Sequence, residues 1–187
     1  MRVLGISGSL RQGSLNSALL RAAAERLPAG AELVEFERLR EVPPYDEDVD
    51  AEATPAVVEE LREAVRGSDA VLIATPEYNR SIPGQLKNAL DWVSRPAGKS
   101  ALNGKPAAAI GASTGMFGAV WAQAELRKVL GAMGGRVVEA ELPVARAKEL
   151  LVGDILELSL QQSEQLEELL AELVSQAEIE AELAVAA

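Results

Sequence analysis

Short apolar runs alternate with amphipathic segments along the chain, and this alternation restricts the fold more than any other feature of the sequence. Apolar runs at residues 2–7, 32–36, 69–75, 106–112 and 137–142 predict five strands. Segments with helical spacing of apolar residues lie between them. Strands that alternate with helices form parallel sheets, because each connection crosses back over the sheet. The sequence therefore predicts an α/β fold with a doubly wound, five-stranded parallel sheet.

The predicted helices and loops complete this pattern. Helices are predicted over residues 16–27, from Pro55, over 85–93, over 119–133, and along the leucine-rich stripe at the carboxyl end. Residues 41–55 are acidic and contain prolines, which predicts a loop. Without a linker or an internal repeat, residues 1–187 are predicted to form one domain, whose last ten or so residues fray.

Two absences restrict the chemistry. The chain has neither cysteine nor histidine, which excludes a thiolate nucleophile, a Ser-His-Asp triad, a disulfide and a histidine-bearing zinc site. We therefore predict no metal site and no catalytic acid or base, and we expect a bound cofactor to carry any redox chemistry. The net charge of −11 disfavours nucleic acid as a partner.

The first residues, MRVLGIS, run directly into a predicted strand and lack the features of a signal peptide. The apolar runs are too short to span a bilayer. These observations predict a cytoplasmic protein that has no membrane partner.

Three predicted strands end in loops of unusual composition. The loops are GSLRQGSLN at residues 8–16, PEYNRSIPG at 76–84 and STGMFG at 113–118. Carboxyl ends of parallel strands meet at one edge of a sheet, and ligands bind there. The sequence therefore predicts one site that is built from all three loops.

The first loop is suited to an anion but fits neither common phosphate-binding motif. Ser14 stands where a Walker A loop has lysine, and the glycines lack the GxGxxG spacing. Backbone amides at a helix start, hydroxyls of Ser9 and Ser14, the Asn16 amide and the Arg11 guanidinium suit a terminal monophosphate, which FMN carries. The alternative is that Ser14 or Asn16 only caps the helix.

The other two loops suit a planar ring. Tyr78 and the loop amides offer an apolar wall and polar groups, although PEYN also fits an ordinary proline-initiated turn. The segment from Ser113 to Gly115 is placed to approach the ring edge. Trp92 and Trp121 lie on predicted helices, where we expect them to pack in the core or at a subunit contact.

Three stretches carry a family resemblance: GISGSLRQGSLN, TPEYNRSIPGQLKNALDWVSR and LNGKPAAAIGASTGMFG. Together they resemble the signatures of the NADPH-dependent FMN reductase family, over about residues 2–145. The resemblance implies a flavodoxin-like sheet of order 2-1-3-4-5, non-covalent FMN, and a homodimer or homotetramer. The family includes quinone, chromate and azo-dye reductases.

The resemblance also implies roles for individual residues. It assigns Ser9, Arg11, Ser14 and Asn16 to the FMN phosphate, the four residues from Pro76 to Asn79 to the flavin ring, and Ser113 to the ring edge. It assigns no role to Arg80. The predicted cofactor-binding residues are Ser9, Arg11, Ser14, Leu15, Asn16, Pro76, Glu77, Tyr78, Asn79, Ser113 and Gly115.

The predicted function is hydride transfer from NADPH or NADH to FMN, followed by reduction of a small acceptor. Quinones are the first choice of acceptor, ahead of chromate, azo dyes and free flavin. One alternative is a flavodoxin-type electron carrier without NAD(P)H turnover, since acidic charge suits docking on basic partners. A second alternative is a binding or scaffolding protein that has kept the fold and lost the flavin.

Overall fold

Parallel strands form the central sheet in the order β2-β1-β3-β4-β5, as predicted. The structure is a computed structural model that describes the backbone of residues 1–186 and the side chains of residues 1–179. The strands are β1 (Arg2–Ser7), β2 (Glu32–Glu35), β3 (Ala70–Ala74), β4 (Pro106–Ala112) and β5 (Arg136–Val137), with β6 (Pro143–Val144) beside the end of β4. The strand order reverses direction between β1 and β3, and this reversal is where such sheets bind ligands.

Helices cover both faces of the sheet. They are α1 (Leu15–Ala24), α2 (Glu47–Glu52), α3 (Ala56–Arg66), α4 (Gly84–Val93), α5 (Val120–Ala132) and α6 (Leu160–Ala186). Helices α3, α4 and α5 pack on one face, and α1 and α6 pack on the other. Strand β3 shows the consequence, because Val71 and Ile73 face the first layer while Leu72 faces the second. A strand buried on both faces must be apolar throughout, which explains the sequence AVLIA.

The fifth strand differs from the prediction. The sequence predicts one strand over residues 137–142, whereas the structure has β5 and β6 with an irregular segment between them. The buried side chain of Gln123 explains the interruption: its amide donates to the Leu142 carbonyl at 3.2 Å and accepts from the Leu142 N–H at 3.1 Å. A side chain of α5 thus takes the place of a neighbouring strand at this point.

The acidic segment at residues 41–55 also differs from the prediction of a loop, because it contains α2; a short 3₁₀ turn at Leu39–Glu41 leads into it. Asp46 caps α2 by accepting a hydrogen bond from the Asp48 N–H at 3.0 Å. The buried Arg62 of α3 donates to both carboxylate oxygens of Asp50, at 3.0 and 2.9 Å. These hydrogen bonds from Arg62 hold the pKa of Asp50 below its usual range. The segment is therefore tied to the helix layer by charge pairing.

Other features complete the comparison with the predictions. Trp92 is a core residue whose indole N–H donates to the Pro43 carbonyl at 2.8 Å. A hairpin of β7 (Leu151–Val152) and β8 (Ile155–Leu156) precedes α6 and was not predicted. The number of domains stays a prediction. The predicted fraying concerns about the last ten residues, and most of their side chains lie outside those that the structure describes. Among residues 1–186, no helix combines the length and the apolar character needed to cross a membrane.

Candidate functional site

The three loops meet at the carboxyl edge of β1, β3 and β4 and enclose a cleft of about 260 Å³, which we call the ring cleft. Its lining includes all the predicted cofactor-binding residues except Ser14, Asn79 and Gly115. Ala112 and Thr114 also line it and were not in the predicted set. Ala112 is the last residue of β4, so its position at the cleft could have been predicted from the strand end alone.

The first loop is attached to both neighbouring loops by close backbone contacts. The Asn16 side-chain amide donates to the Ala112 carbonyl at 3.0 Å and accepts from the Ala112 N–H at 2.9 Å, and both residues are buried. On the other side, a Cβ at Gly8 would lie 2.9 Å from Leu86 Cδ2 and 3.3 Å from Pro76 Cδ. A side chain at position 8 would therefore require Leu86 of α4 and Pro76 of the second loop to shift, and glycine avoids this.

The helix-capping alternative applies in part to the first loop. The Ser14 hydroxyl oxygen accepts hydrogen bonds from the Asn16 and Ser17 N–H groups, both at 3.2 Å, so Ser14 is the N-cap of α1. Within the part of the chain that the structure describes, the N–H groups of Gln12, Gly13 and Ser14 donate no hydrogen bond. These free donors stand at the positive end of α1, where an anion is stabilised.

The Arg11 guanidinium folds over the same loop. It donates to the Gly13 carbonyl at 3.0 Å, while the Arg11 N–H donates to the Ser9 hydroxyl oxygen at 3.4 Å. Arg11 has no carboxylate partner among the described residues, and its side chain is exposed. The loop thus combines a free cation, free amides and hydroxyl groups, which is the donor set that a phosphate monoester requires.

The second loop is a two-residue turn. Tyr78 and Ser81 exchange both backbone hydrogen bonds, at 3.0 and 3.1 Å. Asn79 and Arg80 both have positive φ values, of 53° and 62°, which is typical of a type I′ turn. This conformation is unfavourable for arginine, and the Arg80 guanidinium lies 5.1 Å from the centre of the Trp121 ring. A cation–π contact with α5 therefore accompanies the strained turn.

Glu77 makes a second link between this loop and α5. The residue at the start of α5, Ala119, is left-handed and offers no side-chain cap, and the first turn contains no acidic residue. The Glu77 carboxylate accepts hydrogen bonds there from the N–H groups of Trp121 at 3.1 Å and Ala122 at 3.2 Å. A helix needs partners for its first N–H groups, and here a residue from another loop supplies them. Glu77 thus lines the ring cleft and also fixes the second loop in place.

The third loop is held by the segment that follows β6. Ser113 donates its N–H to the Val144 carbonyl at 3.0 Å, and its carbonyl accepts from the Ala147 N–H at 2.9 Å. The Gly115 carbonyl accepts from the Arg146 N–H at 2.9 Å. With its backbone tied on both sides, the loop places Ser113 and Thr114 in the lining of the ring cleft.

Comparison with known proteins identifies chains that share these features. The family model of the NADPH-dependent FMN reductases matches residues 1–149. An NAD(P)H-dependent FMN reductase of Pseudomonas aeruginosa is 52% identical over 130 residues, which cover 70% of this chain and 69% of the relative. A quinone reductase of Escherichia coli K12 is 42% identical over 131 residues, covering 70% of this chain and 69% of the relative.

A solved structure shows the same similarity across nearly the whole chain. FerB, a flavoenzyme NAD(P)H:(acceptor) oxidoreductase from Paracoccus denitrificans, superposes with a TM-score of 0.82 and is 35% identical. The superposition covers 95% of this chain and 97% of FerB. The similarity therefore includes the helices and strands beyond the three loops.

The role of Glu77 as a cap can be tested by two substitutions. We expect Glu77→Ala to lower the free energy of unfolding by about 1 kcal/mol, because it leaves the first N–H groups of α5 without an acceptor. Glu77→Gln retains an acceptor oxygen, so we expect it to cost less than half as much. Urea denaturation of both variants measures the difference, with Glu167→Ala on the exposed face of α6 as the control. Equal losses for the alanine and glutamine variants would contradict capping.

Proposed function

The chain belongs to the NADPH-dependent FMN reductase family, and from this premise we propose which of its residues hold the flavin. It is an FMN-dependent NAD(P)H oxidoreductase that passes electrons to a small acceptor such as a quinone. Bound FMN supplies the redox chemistry, by taking up hydride from the nicotinamide and releasing electrons to the acceptor. The observation that carries the assignment of the site is the convergence of the three loops on one cleft.

In this proposal the first loop binds the FMN phosphate. The free N–H groups of Gln12, Gly13 and Ser14 and the guanidinium of Arg11 are the donors, and Ser9 adds a hydroxyl. Ser14 contributes its backbone N–H and the O–H of its capping side chain. Asn16 is already bound to Ala112 through its amide, so we assign it the task of holding the first and third loops together beside the phosphate.

The second and third loops hold the flavin ring. Pro76 and Leu15 supply apolar surface within the ring cleft, and Tyr78 stands beside them with 56% of its surface exposed. Backbone groups of the turn at Asn79, together with Ser113 and Gly115, are assigned to the polar edge of the ring. Glu77 acts indirectly, because its carboxylate is occupied by the start of α5.

The residues of the site have the task of alignment and exclusion of water. Hydride transfer requires the two rings to be close and aligned in a desolvated site, and it requires no nucleophile from the protein. The absence of cysteine and histidine in the sequence agrees with this division of labour. We therefore assign no catalytic acid or base. An aligned ring stack depends instead on the rigidity of the second loop, which α5 holds at two points.

The assignment of the phosphate site can be tested by Arg11→Ala. We expect this variant to bind FMN about ten- to a hundredfold more weakly, because a charge-assisted hydrogen bond contributes about 1.5–3 kcal/mol. The loss is expected to be larger at low salt than at high salt. Riboflavin lacks the phosphate, so its affinity is expected to stay the same.

Titration of the apoprotein with each compound measures both affinities. Gln12→Ala, an uncharged change in the same loop, is the matched control and should leave FMN affinity within about twofold. Unchanged FMN affinity in Arg11→Ala would remove Arg11 from the phosphate site. An equal loss of riboflavin affinity would show that the loop itself had been disturbed.

The activity is tested by steady-state turnover. We expect the purified protein with FMN to oxidise NADPH or NADH for many cycles when a benzoquinone is supplied. A flavodoxin-type carrier has no site for the nicotinamide and would not exceed one equivalent of NAD(P)H per flavin without an added reductase. The measurement is the disappearance of NAD(P)H absorbance, with apoprotein as the control. Turnover that stops at one equivalent per flavin would favour the carrier.

We also propose that the protein is a homodimer or homotetramer, and that the second copy covers the ring cleft. Four large apolar side chains on the second loop, the third loop and the start of α5 form an apolar rim: Tyr78, Met116, Phe117 and Trp121. Each of them has between 38% and 67% of its surface exposed. Phe117 and Trp121 stack with ring centres 4.9 Å apart. Exposed apolar surface beside a small, open ligand site suits contact with another chain. We also place the protein in the cytoplasm, where its NAD(P)H is supplied.

Oligomeric state is measured by light scattering at micromolar concentration. We expect at least a dimer, because the apolar rim offers surface for contact with a second chain. Stable interfaces bury about 1,200 Å² or more in total. Phe117→Glu is expected to shift the mass toward that of one chain, since it places a charge in the apolar rim. Val152→Glu, at an exposed position of the β7–β8 hairpin, is the matched control. A wild-type mass equal to one chain would contradict the proposal.

A further inference from the structure

A second and larger cavity lies on the other flank of the first loop, between that loop, α1 and the carboxyl end of β2. We call it the β2 crevice; it has a volume of about 600 Å³. Its lining consists of Ser7, Ser9, Leu10, Arg11, Gln12, Ser17, Arg21, Glu35, Phe36, Glu37, Leu39 and Arg40. This volume falls within the range of about 300–1,000 Å³ that is typical of small-molecule sites. The flavin assignment uses Ser9, Arg11 and Gln12 of this lining, and the remaining residues, Arg40 among them, have no task in it.

Positive charge is concentrated in this crevice. Three arginines line it, although the whole chain has 18 basic residues against 29 acidic ones. Arg21 is paired with Asp154, its Nε lying 3.2 Å from the carboxylate. Arg11 and Arg40 form no salt bridge within the described residues. Because Arg11 is already assigned to the FMN phosphate, Arg40 is the cation of this crevice that is left for a second anionic group.

Arg40 is the more informative of the two arginines. One of its terminal nitrogens donates to the Leu10 carbonyl, which orients the guanidinium toward the first loop. The remaining N–H groups of its fork donate no hydrogen bond within the described part of the chain. An oriented guanidinium with free donors matches the geometry of a phosphate.

The acidic residues of the crevice do not exclude a phosphate. Glu35 is half-buried, and this burial is the main reason that its pKa is raised. The nearby Glu37 carboxylate raises the pKa of Glu35 further, whereas the Arg21 guanidinium lowers it. The lining has three arginines against these two carboxylates, so its formal charge stays positive.

The crevice and the ring cleft share Ser9 and Arg11. The two cavities are thus neighbours on opposite sides of one loop. A dinucleotide whose nicotinamide lies over a ring in the ring cleft extends its adenosine end away from that ring. The shared residues make the β2 crevice the cavity that adjoins the ring cleft at the first loop.

We propose that the β2 crevice binds a phosphate monoester of a nucleotide substrate, held by Arg40, while Arg11 remains with the FMN phosphate. The source that fits best is the 2′-phosphate of NADPH, which would give NADPH preference over NADH. This assignment rests on the proposed function, because it treats NAD(P)H as the substrate. A second molecule of FMN carries the same chemistry and is the other source.

Calorimetric titration of the FMN-loaded protein tests the site without turnover. We expect 2′,5′-ADP to bind at least tenfold more tightly than 5′-AMP, and Arg40→Gln to remove that difference. Arg40→Lys keeps the positive charge but loses the forked guanidinium, so this variant should retain part of the difference in affinity between 2′,5′-ADP and 5′-AMP. Arg66→Gln removes one positive charge from the exposed surface of α3 and should retain the full difference.

Three results would overturn the proposal. The first is equal affinity of the wild-type protein for 2′,5′-ADP and 5′-AMP, and the second is a preference that survives in Arg40→Gln. The third is a parallel loss of FMN affinity in Arg40→Gln, which would mean that Arg40 acts only through its bond to Leu10. If FMN added beyond one equivalent binds through Arg40 while 2′,5′-ADP does not, the phosphate belongs to a flavin and the NADPH assignment is wrong.

Kinetics then connect the site to the reaction. We expect kcat/KM for NADPH to fall tenfold or more in Arg40→Gln, while kcat/KM for NADH changes less than threefold. Equal losses for both donors would show that Arg40 does not recognise the 2′-phosphate. A wild-type protein that oxidises neither donor would reject the proposed function, and the binding of 2′,5′-ADP would still report on the crevice itself.

Discussion

The paired hydrogen bonds between the Asn16 amide and the backbone of Ala112 are the contact on which the site most depends. They join the first turn of α1 to the last residue of β4, across 96 positions of sequence. Both residues are buried, so a side chain that left the Ala112 N–H and carbonyl unpaired would carry the full penalty of desolvation. The contact holds the start of α1 against the end of β4, and both residues line the ring cleft.

The same principle operates at the second loop. Two interactions attach it to α5: the Glu77 carboxylate at the helix start, and the Arg80 guanidinium over Trp121. The parallel sheet brings three strand ends to one edge, but strand ends alone leave loops mobile. Side chains that reach from one loop to a neighbouring element supply the rigidity. A site for a planar cofactor depends on this rigidity, because ring alignment tolerates little displacement.

Much of the fold follows from the sequence, and two of the deviations share one kind of cause. The central strands are buried on both faces, so their composition alone identifies them. The interrupted fifth strand depends on Gln123, and the helix in the acidic segment depends on Arg62. Each is a single side chain from a distant part of the sequence. Local patterns carry no signal for such contacts, and so the sequence predicts a continuous strand and an irregular loop at these places.

The site shows the same limit. Loop composition predicts most of the residues that line the ring cleft, but the tasks of individual side chains depend on tertiary partners. The Ser14 hydroxyl caps α1, which the sequence allows as an alternative. The Glu77 carboxylate caps α5, and loop composition does not reveal this role. The β2 crevice is likewise absent from the predictions, because its arginines come from three separate segments of the chain.

The measurement that tests the central claim most directly is the visible spectrum of the purified protein, recorded without oxygen before and after one equivalent of NADPH. If the three loops form a flavin site, the spectrum shows the two flavin absorption bands, NADPH bleaches them, and the cofactor released on denaturation is FMN. A preparation that is colourless, and that stays colourless after incubation with FMN and removal of the excess, would contradict the account. Release of FAD in place of FMN would contradict the role of the first loop as the site of a terminal phosphate.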